Sequence, residues 1–133
     1  MLMEFLTRAP ELKSLPGDHL RVVRGMRFWV AAHRLGGCPV AALRGQLGCA
    51  RAAAHLHLLL EEIGAAWPDP FAVSPPCCGQ LSHDERTLAE MIGFASAGDR
   101  PAFDRLLCEM ISADERERLF HSARVLSDLL PAC

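Results

Sequence analysis

Trp67-Pro68-Asp69-Pro70-Phe71-Ala72-Val73-Ser74-Pro75-Pro76-Cys77-Cys78-Gly79-Gln80-Leu81 is the stretch on which the architecture turns. Four prolines in fifteen positions forbid a regular helix, because proline lacks an amide donor and its ring clashes with the preceding turn. The same stretch carries Trp67, Phe71 and Val73, and a solvated linker has no use for large apolar groups. The segment therefore reads as an ordered crossover lying on the helices at either side of it. With 133 residues, half of them apolar, the chain is long enough to bury one core, and residues 1–133 are expected to form a single domain with 1–17 as an N-terminal extension.

Both flanks read as helix. Ser82-His83-Asp84-Glu85 has capping-box spacing and opens a helix with Leu88, Met91, Ile92 and Ala95 on one face, stopped by Gly98. Asp99 caps a short helix with Phe103, Leu106, Leu107 and Met110 at i, i+3, i+4, i+7. Ser112-Ala113-Asp114-Glu115 repeats the capping-box spacing before a last helix carrying Leu119, Ala123, Leu126 and Leu130, which ends before Pro131. Upstream, Asp18 is placed to cap a helix running to about Leu35, on which Val22, Val23, Met26, Trp29, Val30 and His33 share an arc of about 120°. Gly36-Gly37 ends it, and two further helices are expected over 39–48 and 50–64. No stretch alternates apolar and polar residues over more than a few positions. The fold class is all-α, a bundle of five or six helices.

Charge and composition narrow the function classes. Sixteen acidic against fourteen basic residues exclude a uniformly basic nucleic-acid binder. Residues 1–80 carry a formal +2 and residues 81–133 a formal −4. A single lysine, Lys13, stands against thirteen arginines, a bias that codon usage in a GC-rich bacterial genome produces unaided. No run approaches the length of a membrane span, and Glu4 stands where a secretory signal would be basic, so a cytoplasmic protein without a membrane role is expected. The six cysteines, at 38, 49, 77, 78, 108 and 133, lack the density of a secreted scaffold and the paired spacing of a zinc ribbon, which makes reduced thiols the default.

Several constellations bear on chemistry. Residues 39–64 resemble a helix-turn-helix, but the second helix opens Arg51-Ala52-Ala53-Ala54 with almost no base-reading side chains, and Glu61 and Glu62 offset Arg44 and Arg51. Arg21, Arg24, Arg27 and Arg34 form a stripe suited to an anion or an acidic partner; pairing with the acidic C-terminal half is the simpler reading. Cys77 and Cys78, five residues before His83 and near a helix start, are candidate reactive thiols, with buried packing as the plainer alternative. Adjacent cysteines rarely share one zinc, and His55 and His57 lie about 200° apart on a helix, so no metal site is assigned. His33 reads as a core histidine, and Glu61-Glu62, Asp84-Glu85 and Asp114-Glu115 as solvent-facing or capping carboxylates. No phosphate-loop or dinucleotide-binding glycine pattern is present, and no cofactor is expected.

The order Arg24-Gly25-Met26, Leu35-Gly36, then Val73-Ser74-Pro75-Pro76-Cys77-Cys78 leading into Leu81-Ser82-His83-Asp84-Glu85-Arg86-Thr87-Leu88 resembles a family of small helical alphaproteobacterial proteins with a Pro-Cys-Cys segment, a domain of unknown function. The likeness covers about residues 24–130, with 73–88 its specific part. It implies no activity, and family members carry a third consecutive cysteine where this chain has Gly79. The expectation is a non-enzymatic interaction or regulatory protein, whose partner is another protein or a second copy of the chain, using α-helical faces such as that of Phe28 and Leu35. A helix-turn-helix DNA regulator and a thiol redox or metal-binding protein are the alternatives.

Overall fold

The computed structural model describes residues 11–132; the reading of Met1 to Pro10 lies outside them, as does Cys133. Six α-helices follow one another: α1 (Gly17–Arg34), α2 (Pro39–Leu47), α3 (Ala50–Ala66), α4 (His83–Ala97), α5 (Arg100–Leu107) and α6 (Ala113–Leu129). Single 3-10 turns occupy Leu12–Ser14 and Leu130–Ala132. No β-strand forms among the described residues; an isolated antiparallel bridge joins Glu11 to Gln80. No described helix is long and apolar enough to cross a membrane.

The apolar periodicities become one interior. Val22 and Met26 of α1, Leu43 and Leu47 of α2, Leu56, Leu59 and Ile63 of α3, Leu88, Met91 and Ile92 of α4, Phe103 and Leu107 of α5, and Leu119, Ala123 and Leu126 of α6 belong to a single buried cluster. α1 lies on α2, α2 on α3, and α6 on both α3 and α4, with α5 spanning α4 and α6. Gly25 of α1 faces both α2 and α3 closely, for a Cβ there would stand 3.4 Å from Leu43 Cδ2 and 3.2 Å from Leu56 Cδ2. A second, smaller cluster of Leu12, Val23, Leu81 and Ala89 ties the start of the chain to the crossover and to α4.

The helix ends show where local signals acted as read and where they did not. Ser82 and Glu85 form the reciprocal capping box. Asp99 accepts from the Ala102 amide. Ser112 accepts from the Glu115 amide, but the Glu115 carboxylate meets the Ser112 hydroxyl. Asp18 is not a cap: α1 starts after Pro16, and Asp18 sits within the first turn, 3.6 Å from Arg21. α2 stops at Leu47 because Gly48 takes a left-handed conformation, φ 69°, and α3 continues two residues beyond Gly64. His33, read as a core histidine, is exposed and edge-on to Trp29, since no residue of α1 beyond Arg27 is buried. Met110 is exposed as well, because α5 ends at Leu107 and the helical register lapses there.

Candidate functional site

The crossover is held by the first turn of α4 and by one arginine of α1. Asp84 accepts from the Ala72 amide at 2.7 Å and the Trp67 indole at 3.3 Å, and Ser82 Oγ donates to the Ala72 carbonyl at 2.6 Å. Trp67 and Phe71 meet at 5.0 Å between centroids with their rings tilted by 56°. Glu85 does more than close its capping box. Its carboxylate accepts from the Ser82 amide, the Ser74 amide and the guanidinium of Arg27, with Nε–Oε2 at 2.7 Å and Nη2–Oε1 at 2.9 Å. Both side chains of this pair have zero exposure. The remaining Arg27 donors reach the carbonyls of Cys78 at 2.6 Å and Gln80 at 2.7 Å.

The arrangement satisfies a costly burial. Two ions withdrawn from water lose several kcal/mol of hydration each, which only a bidentate contact with every other donor and acceptor engaged can recover. Burial alone would raise the Glu85 carboxyl pKa, but the hydrogen bonds from Arg27 and Ser82, with the Arg27 charge, hold it below the ordinary carboxylate value. Arg27 is raised in turn, chiefly by its hydrogen bond to Glu85. Glu85, read as a solvent-facing or capping carboxylate, does cap its helix but is wholly buried, and the place of Arg27 in a surface stripe is corrected. Arg27 follows Val23 by one helical turn, on the face that meets the crossover, and that i, i+4 relation to a core valine was the available signal.

The other stripe members separate. Arg21 bonds the carbonyls of Leu47 at 2.7 Å and Leu130 at 3.0 Å, closing the ends of α2 and α6. Arg24 and Arg34 are exposed and make no ion pair or hydrogen bond among the described residues. Beside them stand Phe28, 37% exposed, and Leu35, 86% exposed. Arg24, Phe28 and Leu35 follow i, i+4, i+11 spacing, so they form one outer ridge along α1.

Above the Arg27–Glu85 pair, the Cys78 amide donates to the Pro75 carbonyl at 3.0 Å, closing a tight turn with Pro76 and Cys77 at its apex. Leu12 N donates to Gly79 O at 2.8 Å and secures the other side. Cys77 is exposed and Cys78 half-buried, its thiol 3.6 Å from the Gln80 carbonyl. Both thiols line an open cavity of about 400 Å³, together with Lys13, Arg24 and Glu11. His83 is exposed at the first turn of α4 and does not line that cavity, so the thiols and the histidine do not assemble. Cys38 and Cys108 are also free, whereas Cys49 is disulfide-bonded, a correction to the expectation of reduced thiols. Among the described residues no three His, Cys, Asp or Glu side chains group to hold a metal ion.

No family model matches the chain, and no curated protein or solved structure is significantly similar to it.

Proposed function

We propose that this chain is a non-enzymatic interaction protein that offers the outer ridge of α1 to a protein surface acidic around an apolar centre. The observation that supports the reading is the division of one helix into two uses. Arg21 and Arg27 are consumed inside the fold, while Arg24 and Arg34 stay without partners among the described residues, on the same helix as Phe28 and next to Leu35. An exposed leucine and phenylalanine, with Arg34 next to the one and Arg24 a turn before the other, have the composition of an interface anchor with a charged rim. The outward side of α3 favours a protein over a duplex as partner: Arg51, Ala54, Leu58 and Glu61 are exposed along it, with few groups able to read bases.

Affinity capture from native lysate tests it, using the wild-type chain, the double variant Arg24→Glu/Arg34→Glu, and Arg105→Glu on α5, an exposed position away from both surfaces, as a control of charge change. An acidic protein held by the wild type and the control, lost from the double variant and released by salt is expected. A second copy of the chain can supply such chemistry, since Leu58 is exposed beside Glu62, Asp114 and Glu117; self-association in sedimentation that the double variant abolishes counts in favour. Identical retention by wild type and double variant overturns the proposal. Duplex binding that falls with salt and is lost in Arg44→Ala or Arg51→Ala overturns it in favour of a helix-turn-helix regulator.

A further inference from the structure

We infer that the cavity over the Pro75–Cys78 turn is a thiol-modification site, at which Cys77 forms a mixed disulfide with a small, carboxylate-bearing disulfide. Three independent observations meet there. The thiol is available: Cys77 is exposed and free, while Cys78 directs its own sulfur at the Gln80 carbonyl. The backbone under it is fixed, since Arg27 grips the carbonyls of Cys78 and Gln80 from the core side and Leu12 grips Gly79 from the other. The wall is cationic on balance, since Lys13 is paired with Glu11 at 3.6 Å while Arg24 has no partner among the described residues, so a carboxylate of an entering molecule finds an uncompensated guanidinium within the same 400 Å³ space as the sulfur. Neither Cys38 nor Cys108, the other free and exposed thiols among the described residues, lines this cavity.

The step is an ordinary exchange. The Cys77 thiol loses its proton to solvent, its thiolate attacks one sulfur of the small disulfide, a new Cys77 S–S bond forms as the old S–S bond breaks, and the departing thiolate takes up a proton. No metal and no further oxidant are involved. The recognition is electrostatic and positional, and it leaves the α1 ridge reading untouched except that Arg24 is common to both.

Three disulfides of different charge separate recognition from mere reactivity. The full-length protein is treated at low ionic strength with oxidised glutathione (anionic), bis(2-hydroxyethyl) disulfide (neutral) or cystamine (cationic), and adducts are timed by intact mass and located by peptide mapping. The neutral reagent reports thiolate fraction and access, so the anionic-to-neutral rate ratio isolates charge recognition. Cys77 is expected to prefer oxidised glutathione to cystamine by about tenfold more than Cys108 does, with the preference fading as salt rises. Arg24→Glu and Lys13→Glu should each lower the anionic-to-neutral ratio at Cys77 by about fivefold while the protein remains folded by circular dichroism. Equal labelling of Cys38, Cys77 and Cys108, an unchanged ratio in both variants, or closure of Cys77 on Cys78 with loss of two hydrogens and no adduct would overturn the inference. These readouts are independent of partner capture, so the two proposals fail separately.

Discussion

Arg27 and Glu85 carry consequences out of proportion to two residues, because their ion pair is also the fastening of the crossover. Replacing Arg27 by Met leaves the Glu85 charge buried without its counterion and the Cys78 and Gln80 carbonyls without donors, and should destabilise by ~3–5 kcal/mol in urea unfolding. Arg27→Met/Glu85→Leu should recover part of that loss, since no uncompensated ion remains, yet alkylation of Cys78 should stay faster than in the wild type because the turn loses its anchor on the core side. A double variant as unstable as the single one would show that the carbonyl contacts, not the ion pair, dominate. The same pair sets an acid limit. A carboxyl whose folded pKa is depressed contributes stability above its unfolded pKa and loses that contribution as the pH falls through the folded value. His19, lowered by burial against the opposing charge of Asp18, binds its proton more readily in the unfolded chain, so stability already declines as the pH falls through the ordinary imidazole range. Thermal melts against pH should show two successive acid limbs, the upper removed in His19→Gln and the lower in Glu85→Gln.

Among the elements, the helix ends are the parts most openly written in the chain. Ser82, Asp99 and Ser112 each accept from an amide three residues on, as their spacing requires. Asp18 looked equivalent, but Pro16 and Gly17 allow the helix to begin two residues earlier than a cap at Asp18 requires, and the carboxylate turns to Arg21 instead. Glycines separate in the same manner. Gly48 ends α2 at φ 69°, so Gly48→Ala should cost about 1–2 kcal/mol although no atom lies within 4 Å of the added methyl. Gly64 lies inside α3 with equally open space, and Gly64→Ala should stabilise by about 0.5–1 kcal/mol through reduced backbone freedom in the unfolded state. Chemical denaturation of the two variants checks both signs; a destabilised Gly64→Ala would mean that α3 ends before Gly64 in solution.

At the scale of the whole molecule, all six helices contribute to one buried cluster, with Trp67, Phe71 and Val73 of the crossover packed on it. The two flanks of the crossover should therefore unfold together, in one transition seen identically by far-ultraviolet circular dichroism and by tryptophan fluorescence. Limited proteolysis should spare residues 67–81 until global unfolding; early cleavage there into two stable fragments would contradict a shared core.

What the sequence determined alone is the class and the arrangement of its parts: helices of set length, their caps, the apolar stripes of α4 and α6, and an ordered crossover where prolines and aromatics coincide. These follow from interactions within one turn or from a single period, so they need no knowledge of what lies opposite. Tertiary structure decided the rest. Arg24, Arg27 and Arg34 read alike along a helix, yet only Arg27 meets a carboxylate brought from 58 residues away, and only Arg24 reaches the cavity of Cys77. Glu85 satisfies a local capping rule and, with the same two oxygens, a distant cation. Which charge is buried and which is left for a partner depends on the helix facing it, and that neighbour is fixed by packing across the core, not by spacing along the chain.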